Sequence, residues 1–199
     1  MAVLTKLRWL CRRQGRGSRG TAGFIAAALL GVLPLRAAAP ATVSAEYQLK
    51  AVFLYNFAQF VEWPREVFAE TTSPFVIGVL GENPFGSYLD DLVKGETVGG
   101  RALVIRQARK VEALADCHII FIAGSETRDL EKILSTLQGK SALTVSDADS
   151  FTRQGGMVRF AMENGRIRLR INVDAARASH LTISSKILRP GTLATPGKD

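Results

Sequence analysis

The chain has 199 residues and a formal charge of +8 at neutral pH. With 47% hydrophobic and 22% charged residues, 18 Gly and 7 Pro, its composition is that of one ordinary folded domain, neither disordered nor collagenous. The charge is unevenly placed: residues 1–45 hold Lys6, Arg8, Arg12, Arg13, Arg16, Arg19 and Arg36 with no Asp or Glu, leaving 19 cations against 18 acids in the remainder. The basic excess belongs to the N-terminus, so the isoelectric point is no argument for a nucleic-acid-binding domain.

The first 45 residues have the three parts of a secretory signal. Basic residues up to Arg19 precede an apolar run from Thr21 to Leu35, and small residues follow at Ala37–Ala39, Ala41 and Val43–Ala45. The run is short for a membrane span and Pro34 interrupts its end. Residues 1–45 are therefore expected to be a cleavable leader, cut between 39 and 45, and the chain to be exported. The remaining 154 or so residues can bury roughly two-thirds of the surface their unfolded form exposes, so no disulfide staple is required. Cys11 leaves with the leader. Cys117 then has no intrachain partner and reads as a small hydrophobe buried at the start of a strand, with an intermolecular bridge or a reactive thiol as the alternative.

Along the mature chain, residues 46–62 read as a helix, with Leu49, Val52, Phe53, Phe57 and Phe60 at three- and four-residue steps and apolar residues on its other sides too. Such a helix is deeply buried or shared with a second chain, and Phe53, Tyr55, Phe57 and Phe60 are the candidate self-association residues of a homodimer. Trp63-Pro64 is expected to end it. Residues 75–80 form a continuous apolar run bounded by Pro74 and Gly81, as in a strand covered on both faces. A helix over 84–93, a strand over 103–106, a short helix over 111–115 and a strand over 118–123 follow. Leu130, Ile133, Leu134 and Leu137 then mark a helix that Ser125 or Thr127 can cap and Gly139 can close, and residues 142–146 form the next strand. This alternation predicts an α/β fold: a single three-layer domain, 46–190, with a mainly parallel sheet flanked by helices.

Residues 157–162 and 167–172 flank Glu163-Asn164-Gly165-Arg166, the signature of a two-residue hairpin turn, so the domain is expected to end in a C-terminal antiparallel hairpin. With Asn164 and Gly165 in the turn, Glu163 faces Arg166, Ala161 faces Arg168 and Arg159 faces Arg170. One face then carries Val158, Phe160, Met162, Ile167, Leu169 and Ile171 as core. The other carries Arg159, Glu163, Arg166, Arg168 and Arg170, and the like charges of Arg159 and Arg170 call for an anion or an acidic neighbour. Short helices are expected over 173–179 and 184–188, and the hairpin arginines together with Arg177 and His180 are the candidate partner-binding surface for an acidic protein. Residues 191–199 are expected to be a frayed tail.

Catalytic patterns are sparse. The chain has only His118 and His180, neither in a nucleophile motif, and no His, Cys or carboxylate cluster has metal-ligand spacing, so no catalytic, cofactor-binding or metal residue is assigned. The segment from Gly81 to Gly86 follows a strand, yet it lacks the P-loop and dinucleotide patterns and contains Glu82, so it reads as a turn rather than a phosphate cradle. The carboxyl ends of a parallel sheet would gather Glu82, Ser125, Glu126, Ser146 and Asp147. That rim is where open α/β sheets bind ligands, and it is the alternative site of a periplasmic small-ligand sensor that feeds a membrane receptor such as a histidine kinase.

Seven stretches carry a resemblance that spans the mature chain: Tyr47 to Phe57 (YQLKAVFLYNF), Val61 to Pro64 (VEWP), Leu80 to Gly86 (LGENPFG), Cys117 to Ile122 (CHIIFI), Leu143 to Asp147 (LTVSD), Gly155 to Val158 (GGMV) and Ile183 to Arg189 (ISSKILR). Together they resemble the YfiR family of periplasmic proteins. The resemblance implies a non-enzymatic regulator that represses a membrane-bound diguanylate cyclase through its periplasmic portion, lowering cyclic-di-GMP and biofilm formation. It also implies sequestration by an OmpA-like outer-membrane lipoprotein, and an α/β sandwich that dimerises. The chain departs from the family pattern in one respect: redox control through paired cysteines has no basis in a mature chain with Cys117 alone.

Overall fold

The computed structural model describes residues 43–188. Most of the expected leader and the expected tail lie outside the described residues. Ser44 opens α1 (Ala45–Phe60), its hydroxyl accepting from the Tyr47 N–H at 3.4 Å, and Glu46 in the first turn suits the positive end of the helix. The helix ends two residues before the expected Glu62 for a tertiary reason. Val61–Glu62 (β1) pairs antiparallel with Thr182–Ile183 (β9), which draws the chain into an extended conformation ahead of Trp63-Pro64.

A seven-stranded sheet follows, built from β2 (Phe75–Leu80), β3 (Thr97–Val98), β4 (Arg101–Ala108), β5 (Ile119–Ile122), β6 (Leu143–Ser146), β7 (Val158–Glu163) and β8 (Arg166–Ile171). Its order is β3-β4-β2-β5-β6-β7-β8. The pairings β2/β4, β2/β5, β5/β6 and β6/β7 are parallel, and the outermost, β3/β4 and β7/β8, are antiparallel. The protein is thus mixed α/β, with a mainly parallel sheet and the expected hairpin at one edge.

Every residue of β2 is buried, as an apolar run without alternation requires. Phe75, Ile77 and Val79 join a cluster with Phe53 and Phe57 of α1, Leu89 and Val93 of α2 (Tyr88–Val93), and Ala176 of α4 (Val173–Ala178). Val76 and Leu80 turn the other way, to Leu114, to Leu130, Ile133 and Leu137 of α3 (Leu130–Leu137), and to Phe151. Apolar cores therefore lie on both faces of the sheet. The chain moves outward from β2 to β4 through α2 on one face and returns to β5 through a short 3-10 turn, Val111–Leu114, on the other, as right-handed crossovers in opposite directions demand.

The departures from sequence expectation are local. The helix expected from Pro84 starts at Tyr88, because Asn83 folds the preceding residues into a turn: its Oδ1 accepts from Phe85 N–H at 2.9 Å and its Nδ2 donates to the Gly86 carbonyl at 3.1 Å. Neither Ser125 nor Thr127 caps α3, since residues 124–129 form a 3-10 segment in which Thr127 Oγ1 donates back to the Gly124 carbonyl at 3.1 Å. Gly139 does close α3, with φ 76° just beyond its end. The expected helix over 184–188 is a 3-10 turn, Ser185–Leu188, preceded by β9. Between β6 and β7 no helix intervenes; Phe151, fully buried, fills that space, and Gly156 lies so close to its ring that a Cβ there would overlap it.

Candidate partner-binding site

The hairpin has the expected register, with Glu163 opposite Arg166, Ala161 opposite Arg168 and Arg159 opposite Arg170. Asn164 and Gly165 take φ 50° and 71°, the left-handed conformation a type I′ turn requires. Of the six residues assigned to the core face, Val158, Phe160 and Ile167 are buried and Leu169 and Ile171 half-buried, but Met162 beside the turn is 48% exposed. Strand β6 pairs with β7 only as far as Ser146 opposite Arg159, so the hairpin tip projects beyond that pairing.

On the opposite face the like-charge pair is relieved from within the chain. Arg159 ion-pairs with Asp149 from the β6–β7 connection, leaving its buried Nε without an acceptor, and Arg170 Nη2 donates to Glu163 Oε1 at 2.6 Å. Arg166 and Arg168 are exposed and have no ion-pair partner among the described residues. The face therefore presents two uncompensated guanidinium groups flanked by two compensated ones. Arg177 and His180 stand elsewhere: Arg177 lies 3.7 Å from Asp174 on α4 and His180 follows that helix, which packs on the other face of the sheet. No described contact joins either residue to the hairpin arginines.

The aromatic residues of α1 divide in the same way. Phe53 and Phe57 are buried, with ring centroids 5.8 Å and 6.0 Å from Phe160, and so are used inside the chain. Tyr55 and Phe60 remain partly exposed, and the Tyr55 hydroxyl donates to Glu96 Oε2 at 2.9 Å, which raises its pKa.

At the carboxyl edge of the parallel strands, the expected rim residues bond to one another, to the backbone or, for Asp147, to side chains of α1. Ser125 Oγ accepts from Glu82 N–H at 3.1 Å and donates to Glu126 Oε1 at 2.9 Å. Gly81, with φ 89°, sits against both Ser125 and Glu126 and leaves no room for a Cβ. Ser146 is fully buried and donates to the Ile122 carbonyl at 2.8 Å. Asp147 accepts from the Tyr47 hydroxyl at 2.8 Å and from Lys50 Nζ at 2.7 Å.

Sequence reasoning missed Lys50. It is 3% exposed, ion-paired to Glu46 at 2.5 Å and to Asp147 at 2.7 Å, and fastens α1 to the end of β6. The signal was present: Lys50 is the only cation between Arg36 and Arg65, inside a helix apolar on every side, and a buried ammonium must be paired. Burial, followed by the bond to Asp147, raises the Tyr47 pKa, so its hydroxyl stays a donor.

The adjacent Cys117 and His118 are both buried. Burial pushes the Cys117 thiol up to about 11, so at neutral pH it is a thiol and a weak nucleophile. Burial lowers His118 to about 4, and its Nδ1 accepts from Val76 N–H at 3.0 Å between the rings of Phe68 and Phe75. Among the described residues no group of three or more His, Cys, Asp or Glu could hold a metal ion, and no helix is long and apolar enough to cross a membrane.

The structure thus defines an α/β domain that exposes a charged hairpin at one edge of a mainly parallel sheet. The family model for YfiR/HmsC-like proteins matches residues 47–192, so the chain belongs to the YfiR/HmsC-like family. No curated protein matches it.

Proposed function

We propose that the protein is a non-enzymatic, exported regulator that restrains a membrane-bound diguanylate cyclase by contacting the cyclase's periplasmic portion, lowering cyclic-di-GMP and biofilm formation. The observation that carries this reading is family membership over nearly the whole described domain. The hairpin agrees with it: repression needs only a surface whose binding free energy differs between two states of the partner, and Arg166 and Arg168 offer such a surface to an acidic protein. Three further elements belong to this reading. They are a homodimer formed through the exposed side of α1, sequestration by an OmpA-like outer-membrane lipoprotein, and a three-layer arrangement supported by the apolar clusters on both faces of the sheet.

Deleting the gene and measuring cyclic-di-GMP tests the proposal. A rise reversed by complementation is expected, and an unchanged level overturns it. The second reading, a small-ligand sensor, has one favourable observation. The strand order reverses between β2 and β5, and an open crevice lined by Leu80, Arg109, Lys110, Glu126 and Lys132 lies at their carboxyl ends. The mutual bonding of Ser125, Glu82 and Glu126 weighs against it.

A further inference from the structure

β8 is the last strand of the sheet, and among the described residues nothing pairs with its outer edge. The direction of its peptide groups follows from one bond. Asn172 N–H donates to the Met157 carbonyl at 2.8 Å, so even-numbered residues turn their peptide groups inward to β7, and alternation sends those of Ile167, Leu169 and Ile171 outward. The side chains alternate as well. Arg166, Arg168 and Arg170 stand on one face of this free edge, and Ile167, Leu169 and Ile171 on the other, the last two half-buried. An open groove lined by Thr152, Arg153 and residues 169–174 borders the edge.

We infer that β8 accepts an extended segment of a partner protein as an added antiparallel strand, and that this segment alternates acidic and apolar residues. The backbone supplies unpaired donors and acceptors, and the side chains dictate the pattern. In antiparallel addition the acids stand opposite Arg166, Arg168 and Arg170 in the closely spaced, non-hydrogen-bonded pairs, where opposite charges gain most. The apolar residues stand opposite Ile167, Leu169 and Ile171 and exchange the hydrogen bonds. A second copy of this chain is a poor occupant, because two β8 strands paired antiparallel bring arginine against arginine. The residues after 188 are equally unsuited, since they include Arg189, Pro190, Pro196 and Lys198 with only Asp199 as an acid.

This inference deepens the regulatory reading and relies on it only for where the segment comes from. The test titrates the exported protein with a labelled peptide of alternating Glu and Val, a scramble that groups the acids, and two N-methylated forms. The alternating peptide should bind about tenfold or more tighter than the scramble, in line with a few added hydrogen bonds and charge pairs. N-methylation of the valines, whose peptide groups face β8, should abolish that advantage, whereas N-methylation of the glutamates should leave it. Equal binding of all four peptides, or loss on glutamate methylation alone, overturns the inference. In the protein, Leu169→Pro removes one outward N–H without touching the bonds to β7, and should weaken binding about tenfold. Should that variant not fold, Arg168→Glu and the peptide series decide. The two proposals fail separately: alternating-peptide binding with unchanged cyclic-di-GMP in the deletion strain removes the cyclase, and raised cyclic-di-GMP with equal peptide binding removes the added strand.

Discussion

His118 couples the stability of this fold to pH between about 4 and 6.5. The imidazole is 5% exposed and stacked at 4.6 Å against both Phe68 and Phe75, and the Trp63 indole closes on its carbonyl at 3.2 Å. A proton on Nδ1 would displace the Val76 N–H, and a cation in this site would lose its hydration. With a folded value of about 4 against about 6.5 in the unfolded chain, the unfolded state binds more protons throughout that interval, so stability falls as pH drops through it. At roughly 1.4 kcal/mol per unit, the loss between about pH 7.5 and pH 5 is about 2 kcal/mol, approaching about 3 kcal/mol below pH 4. Urea unfolding midpoints measured across this range, for the wild type and for His118→Phe, read the effect. The variant starts less stable, because Val76 N–H loses its acceptor, but its midpoint should lack the wild type's steep fall. In NMR titrations His118 should hold its neutral tautomer to below about pH 5. A His118 that titrates near 6.5, or equal slopes for wild type and variant, would refute the reasoning.

Three other outcomes are expected. Lys50→Met leaves Asp147 without its buried cation and should cost about 3 kcal/mol in equilibrium unfolding, whereas adding Asp147→Asn should recover part of that loss; additive losses would show that the two do not interact. Gly156→Ala drives a methyl into the fully buried Phe151 ring and should lower stability by about 1–3 kcal/mol, with a neutral result on thermal melting showing that the ring has room to move. The proposed export predicts a mature N-terminus at or before Val43 on N-terminal sequencing, since Ser44 caps α1 and Gln48 Nε2 donates to the Val43 carbonyl at 3.0 Å. An N-terminus at Glu46 would contradict that role.

The hairpin could be read residue by residue because its determinants are local: Asn164-Gly165 sets the turn, and a two-residue turn sets every cross-strand pair. Strand β2 was equally legible, since its unbroken apolar run announces double-sided burial in composition alone. The two-residue strands β1, β3 and β9 are too short to carry a period and exist only because a distant segment lies alongside. The same limit applied to the site. Arg166 and Arg168 were identified correctly as one exposed face, but the neutralisation of Arg159 by Asp149, the separation of Arg177 and His180 from that face and the bond from Lys50 to Asp147 depend on where other elements pack.

The sequence by itself determined where the longer strands lie and which face of the hairpin is charged, because both rest on residue type and on spacing within a few positions, and it carried the family in short stretches spread along the chain. Only the tertiary structure decided which charges are already satisfied, which aromatic residues are used up in the core, and which strand is left with a free edge. Those depend on contacts between residues tens of positions apart, and the free energy of a charge or a ring is set by what surrounds it rather than by its neighbours in the chain.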